Sequence, residues 1–186
     1  DLLRTGSKWS EHTNIYYLGD GMETFEITST LADDLKYAMI SIALVTTYMW
    51  YHTRSLPLSI ISLLFIFASI PVAYVMTPAA KTTIASFLSV FLMTGIGSDV
   101  VFVFTDFWSQ SSSLPTVEDR LIWMIVHGGK SCLATSLTTS VSFFANLASC
   151  LQALREFGLF MGLCVTCAYV LILLFLPPLM VIFKTT

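Results

Sequence analysis

From Leu56 to Met76 the chain runs without a single charged side chain. A backbone that leaves water must satisfy its own N–H and C=O groups, and a helix does this within one segment. About 20 apolar residues in a row is also the length that crosses a hydrocarbon layer about 30 Å thick. Such a stretch therefore fits a membrane-spanning helix rather than a strand or a surface helix. Other runs of the same kind follow it. Hydrophobic residues make up 55% of the chain and charged residues only 11%, where a soluble domain carries about 25% charged residues. The mean hydropathy of +0.78 agrees. These values describe an all-α membrane protein. The thinly spread net charge of −3 implies no nucleic-acid partner.

Five spans are expected, over about residues 31–50, 56–76, 82–108, 131–151 and 157–183. Asp33, Asp34 and Lys36 mark the wet entry of the first. Tyr48, Trp50 and Tyr51 form an aromatic belt at its other end, followed by His52 and Arg54. Pro57 opens the second span, Pro71 kinks it, and Thr77-Pro78-Ala79-Ala80-Lys81 is a tight turn. Thr116, with Glu118 and Asp119 after it, predicts a capped helix start. A short amphipathic helix is expected along the membrane surface over 117–127, closed by His127 and Gly128-Gly129-Lys130. Arg155-Glu156 fall in the turn before the fifth span, and Pro177-Pro178 disrupt that span toward its exit. By the positive-inside rule, the side bearing His52, Arg54, Arg120, Lys130 and Lys184 faces the cytoplasm.

Residues 1–30 are polar and aromatic and read as the end of an extracellular or lumenal domain. Asp20-Gly21 between short β-favouring runs, and the alternating Phe25-Glu26-Ile27-Thr28, suggest a hairpin there. A chain opening in this way, with Asp1, is expected to be a piece of a longer protein.

The chemistry concentrates in the third span. Asp99 lies about 13 Å along the helix from Trp108, a residue of the membrane boundary, and so near the bilayer midplane. An acid there costs at least about 2.5–3.5 kcal/mol and points to an ion or proton site. The alternative is an Asp hydrogen-bonded to a neighbouring helix for structure alone. Gly95, Asp99, Phe102 and Asp106 recur at helical spacing and share a face. Asp106 is a second candidate for ion coupling, but near the boundary, where a solvated charge costs little. Gly95, Gly97, Gly158 and Gly162 are candidates for close helix packing. In the fourth span Ser131, Thr135, Thr138, Ser142 and Asn146 form a polar stripe, with Thr139 beside it. That stripe either faces Asp99 and hydrogen-bonds it, or serves plain interhelical packing. Cys132, Cys150, Cys164 and Cys167 read as small membrane residues rather than disulfides or metal ligands. No nucleophile elbow, phosphate loop or metal cluster is visible, so neither an enzyme nor a bound cofactor is expected.

Five spans with Gly95-Ile96-Gly97-Ser98-Asp99 in the third resemble the sterol-sensing domain of the RND superfamily, the Patched/Dispatched family. In detail the likeness is greatest to Dispatched. It rests on the run from Gly95 to Trp108, on Thr135-Ser136-Leu137-Thr138-Thr139, on Phe143-Phe144-Ala145-Asn146, on Ala153-Leu154-Arg155-Glu156-Phe157-Gly158 and on Leu176-Pro177-Pro178-Leu179. The resemblance implies a transporter of a sterol or lipid-modified cargo driven by a proton or sodium gradient. Asp99 would take up the ion, Thr138, Thr139 and Ser142 would supply hydrogen bonds, and Gly95 and Gly97 would let helices shift. It also implies a second transmembrane half as partner, and a plasma-membrane or endomembrane location. The other reading it allows is a regulatory domain that binds sterol without transport; such domains usually lack an acid at position 99. One departure stands out: Patched and Dispatched carry two adjacent acids here, and this chain has Val100 in the second place.

Overall fold

The structure is a computed structural model that describes residues 22–77 and 85–184, with side-chain surroundings for residues 36–77 and 89–183. Every regular element among the described residues is helical. The elements are α1 (Met22–Thr53), α2 (Leu56–Met76), α3 (Ala85–Gln110), α4 (Val117–Ala145) and α5 (Gln152–Lys184). Short 3-10 turns, Ser111–Ser113 and Asn146–Ala148, follow α3 and α4. The chain divides into two units, residues 1–39 and 40–186. In the first unit the described backbone is helical, including Phe25–Thr28, which the alternation assigned to a strand. Period two over four residues is too short to outweigh the helical run that follows it. The Asp20-Gly21 hairpin and the turn at Pro78–Lys81 lie outside the described residues.

In the second unit α5 packs on α2, α3 and α4, and α3 also packs on α2 and α4. The shared interior contains Leu58, Ile66, Phe104, Ile172 and Leu176, together with Met49, Met93, Met124, Met161 and Met180, all fully or almost fully buried. Several hydroxyls enter this interior bonded to their own helix. Ser62 donates to the Leu58 carbonyl at 2.7 Å, Thr105 to Val101 at 2.5 Å, and Ser98 to Thr94. A hydroxyl satisfied one turn back no longer carries the full cost of leaving water. Among the described residues, α2, Ser89–Ser113 and α5 are long and apolar enough to cross a membrane.

The segment expected to hold the fourth span departs most from expectation. Instead of a surface helix, a Gly-Gly-Lys break and a second helix, α4 is continuous from Val117 to Ala145. The glycines do not break it, because they let it press on its neighbours. A Cβ on Gly128 would lie 3.2 Å from the Phe107 ring, and one on Gly129 3.5 Å from Leu173. The 29 residues of α4 are about 43 Å long at 1.5 Å each, but α4 is not among the described helices apolar enough to cross a membrane. The expected amphipathic segment is thus the start of the same helix, and Lys130 lies inside it. Thr116 caps that start as anticipated, accepting from the Asp119 N–H at 3.1 Å. The helix ends at Ala145 rather than Leu151, where the Asn146 N–H turns back to Phe143 and Phe144.

Proline behaves similarly. Pro71 and Pro177-Pro178 lie inside continuous helices. Proline's fixed φ is helical, and the loss of a hydrogen bond is offset where flanking residues are held in a core. Leu176 and Met180 on either side of Pro177-Pro178 are fully buried. Arg155 and Glu156 belong to the first turns of α5, where Gln152 donates to the Glu156 carboxylate at 2.8 Å.

Candidate functional site

Asp99 stands near the middle of α3, on its exposed side, and no hydrogen bond or ion pair joins it to another described residue. One turn before it, a Cβ on Gly95 would meet nothing within 4 Å. Among the described residues Gly95 therefore packs against no neighbouring helix, although its sequence context suggested close packing. It leaves an open notch beside the carboxylate. Gly97, two residues on, faces the opposite way: a Cβ there would sit 2.7 Å from Ile66 of α2. Val100, in the place of a second acid, is only 7% exposed and belongs to the core. In this bundle an acid at position 100 would be driven among apolar side chains, while Asp99 opens outward.

Asp106 lies on the same helical face about 10 Å further along α3. Its Oδ1 is 3.0 Å from Nε2 of His52, at the end of α1. Phe102, between the two acids, packs edge-on against Tyr48 at 5.1 Å and His52 at 5.0 Å between ring centroids. The end of α1 thus covers the Asp106 end of this face. With its side chain 57% exposed, Asp106 pairs in high dielectric, where such a contact contributes little stability. His52 was legible only as a cation flanking an aromatic belt; nothing in its spacing pairs it with position 106.

The polar stripe of α4 does not hydrogen-bond Asp99. Thr135, Thr138, Thr139 and Ser142 donate to carbonyls three or four residues back on their own helix, at 2.8–3.4 Å. Thr135, Thr138 and Ser142 are exposed. Asn146 sits in the turn after the helix. The buried side of α4 is instead Gly128, Cys132, Ser136 and Ser140. Along it Cys132 Sγ approaches the Val100 carbonyl at 3.9 Å, and Ser140 Oγ lies 3.2 Å from Thr166 Oγ1 of α5. Tyr169 of α5 donates to the Gly129 carbonyl at 3.1 Å. Small residues every fourth position were the sequence signal for this seam, and the more conspicuous hydroxyl stripe obscured it. Gly158 and Gly162 do pack closely. A Cβ on Gly158 would lie 2.5 Å from the Phe143 carbonyl oxygen, and one on Gly162 would enter the Phe144 ring. The cysteines are free, and no group of three metal-binding side chains occurs among the described residues.

The family described as "Sterol-sensing domain of SREBP cleavage-activation" matches residues 51–184. Protein dispatched homolog 3 of Gallus gallus is 32% identical over 168 residues, covering 88% of this chain and 13% of that protein. Protein dispatched homolog 1 of Mus musculus is 28% identical over 156 residues, covering 80% of this chain and 10% of that protein. Protein dispatched of Drosophila melanogaster is 26% identical over 186 residues, covering 84% of this chain and 15% of that protein. The chain thus spans between a tenth and a sixth of the length of these relatives.

Proposed function

Since the chain belongs to the sterol-sensing-domain family and is Patched/Dispatched-like, we propose that it is the ion-coupling part of a membrane transporter for a sterol or lipid-modified cargo. The carrying observation is Asp99: mid-helix, outward-facing, beside the Gly95 notch and without a described partner. An acid retained at that depth is costly unless it exchanges an ion. Moving one charge through 100 mV yields about 2.3 kcal/mol, enough for one acid to couple usefully. The coupling ion is a proton or sodium. The hydroxyls of Thr135, Thr138, Thr139 and Ser142 have given their protons to their own helix. Their oxygens remain as acceptors, a better match to a cation or its water than to a bare carboxylate. Asp106 serves as a second acid on the path between the cytoplasmic side and Asp99.

In this reading all five helices span the membrane. The side where α1 and α3 end faces the cytoplasm, residues 1–30 close an outer domain, and a second transmembrane half faces Asp99. The cargo slides along the lipid-facing groove lined by Ala43, Thr46, Trp50, Leu56 and Ile60. The test is efflux of a labelled sterol or lipid-modified peptide from cells carrying the full-length protein, wild type against Asp99→Asn, at matched surface expression. Transport should collapse in the variant and follow an imposed proton or sodium gradient in the wild type. Normal efflux from Asp99→Asn would sink the coupling role. Sterol binding without any efflux by wild type would replace transport with sensing.

A further inference from the structure

We propose that the cavity at one end of the bundle binds the phosphate of an anionic membrane lipid. The cavity measures about 450 Å³ and is lined by residues at the end of α1, the start of α2, the end of α3 and the start of α4, with Phe183 from the end of α5. Two guanidinium groups, Arg54 and Arg120, line it. Neither makes an ion pair with a carboxylate among the described residues. Arg120 stacks 4.6 Å over the Trp108 ring and reaches the Trp108 carbonyl at 3.4 Å, while its Nε is buried without a partner. Arg54 is exposed, held between two helices at a left-handed φ of 52°. His52 also lines the cavity, with Nδ1 buried and unpartnered.

The charges favour an anion. Asp106 is the one carboxylate in the lining, and it is already engaged by His52 Nε2. Asp119, at the start of α4, is outside the lining and accepts from the Thr116 hydroxyl at 2.6 Å. That leaves two guanidiniums against one carboxylate that already has a partner. Ser55, the residue before α2, adds the positive end of a long helix whose cap makes no side-chain hydrogen bond. Arginine forks fit phosphate oxygens in pairs. A lipid is the favoured source because the cavity lies where the apolar helices α3 and α5 end and α2 begins, with Trp108 in its wall. Tryptophan marks headgroup depth, and basic pockets between spans at this depth suit anionic headgroups.

The experiment uses the full-length protein in nanodiscs of phosphatidylcholine, with and without 10 mol% phosphatidylinositol 4-phosphate, and counts retained anionic lipid by native mass spectrometry. Arg54→Gln and Arg120→Gln should each lower retention by about tenfold, the loss of one charge-assisted bond. Arg155→Gln, at the other end of α5, should leave it unchanged. Arg54→Gln carries the test if Arg120→Gln does not fold, because Arg54 is exposed and supports no packing. Retention equal to wild type in folded Arg54→Gln overturns the proposal. Displacement of the lipid only by a phosphorylated lipid headgroup supports it. Saturation of the site by millimolar inorganic phosphate, with no preference for the lipid, assigns it to a soluble anion and overturns the lipid source.

Discussion

The sharpest test of the packing is a pair of glycine-to-alanine changes that differ only in what the new methyl meets. At Gly158 the methyl would lie 2.5 Å from the Phe143 carbonyl oxygen and 2.7 Å from Asn146 Cβ. The first is backbone, at the end of α4, and cannot turn aside as a side-chain tip would. Overpacking of this kind costs about 1–3 kcal/mol, and alanine's helix preference returns at most about 1 kcal/mol. A net loss of up to about 2 kcal/mol is expected for Gly158→Ala, a shift of up to about 30-fold in the folded-to-unfolded ratio. At Gly95 the methyl meets nothing within 4 Å, so Gly95→Ala should be neutral or gain up to about 1 kcal/mol. The assay is reversible unfolding of the full-length protein in mixed micelles by increasing sodium dodecyl sulfate, read by tryptophan fluorescence. The two midpoints should move apart, with Gly158→Ala below wild type. If Gly158→Ala unfolds with or after Gly95→Ala, the α4–α5 contact is not as tight as the geometry says, and the reasoning fails.

Two other changes probe individual bonds. Tyr169→Phe removes the hydroxyl that reaches the Gly129 carbonyl across helices; membrane hydrogen bonds of this type average about 0.6 kcal/mol. The same unfolding assay should show a small loss, and a loss above about 2 kcal/mol would mean the bond anchors something larger. Asp106→Asn breaks the pair with His52, and because the acid is largely exposed, stability should change by less than about 1 kcal/mol. A larger fall on the same assay would mean that the acid is held in a drier setting than its exposure indicates.

The helical, membrane-protein character was legible because lipid leaves the backbone few alternatives. Uncharged runs, the Thr116 cap and the mid-helix position of Asp99 all follow from local chemistry. Boundaries failed where a neighbour decides. Gly128-Gly129 reads as a break in water, yet here the absent side chains admit Phe107 and Leu173. Pro177-Pro178 reads as a stop, yet the buried residues around it hold the helix. The face of a residue was hardest to read. Gly95 and Gly97 look alike in sequence, but one opens on a notch and the other meets Ile66. The hydroxyl stripe of α4 lay one register away from the seam that packs, because hydroxyls that bond their own helix need no partner across it. The pairing of His52 with Asp106 depends on how α1 crosses α3, which no local pattern records.

The five methionines at the centre, Met49, Met93, Met124, Met161 and Met180, have no exposed surface. Their thioethers are the softest atoms in the interior and the ones most open to peroxide, which turns each into a polar sulfoxide. Shielded as they are, they oxidise only while the helices part. They amount to a built-in exposure film: after a timed pulse of peroxide, the pattern of sulfoxides along α1, α3, α4 and α5 would record which seams open during a working cycle and for how long.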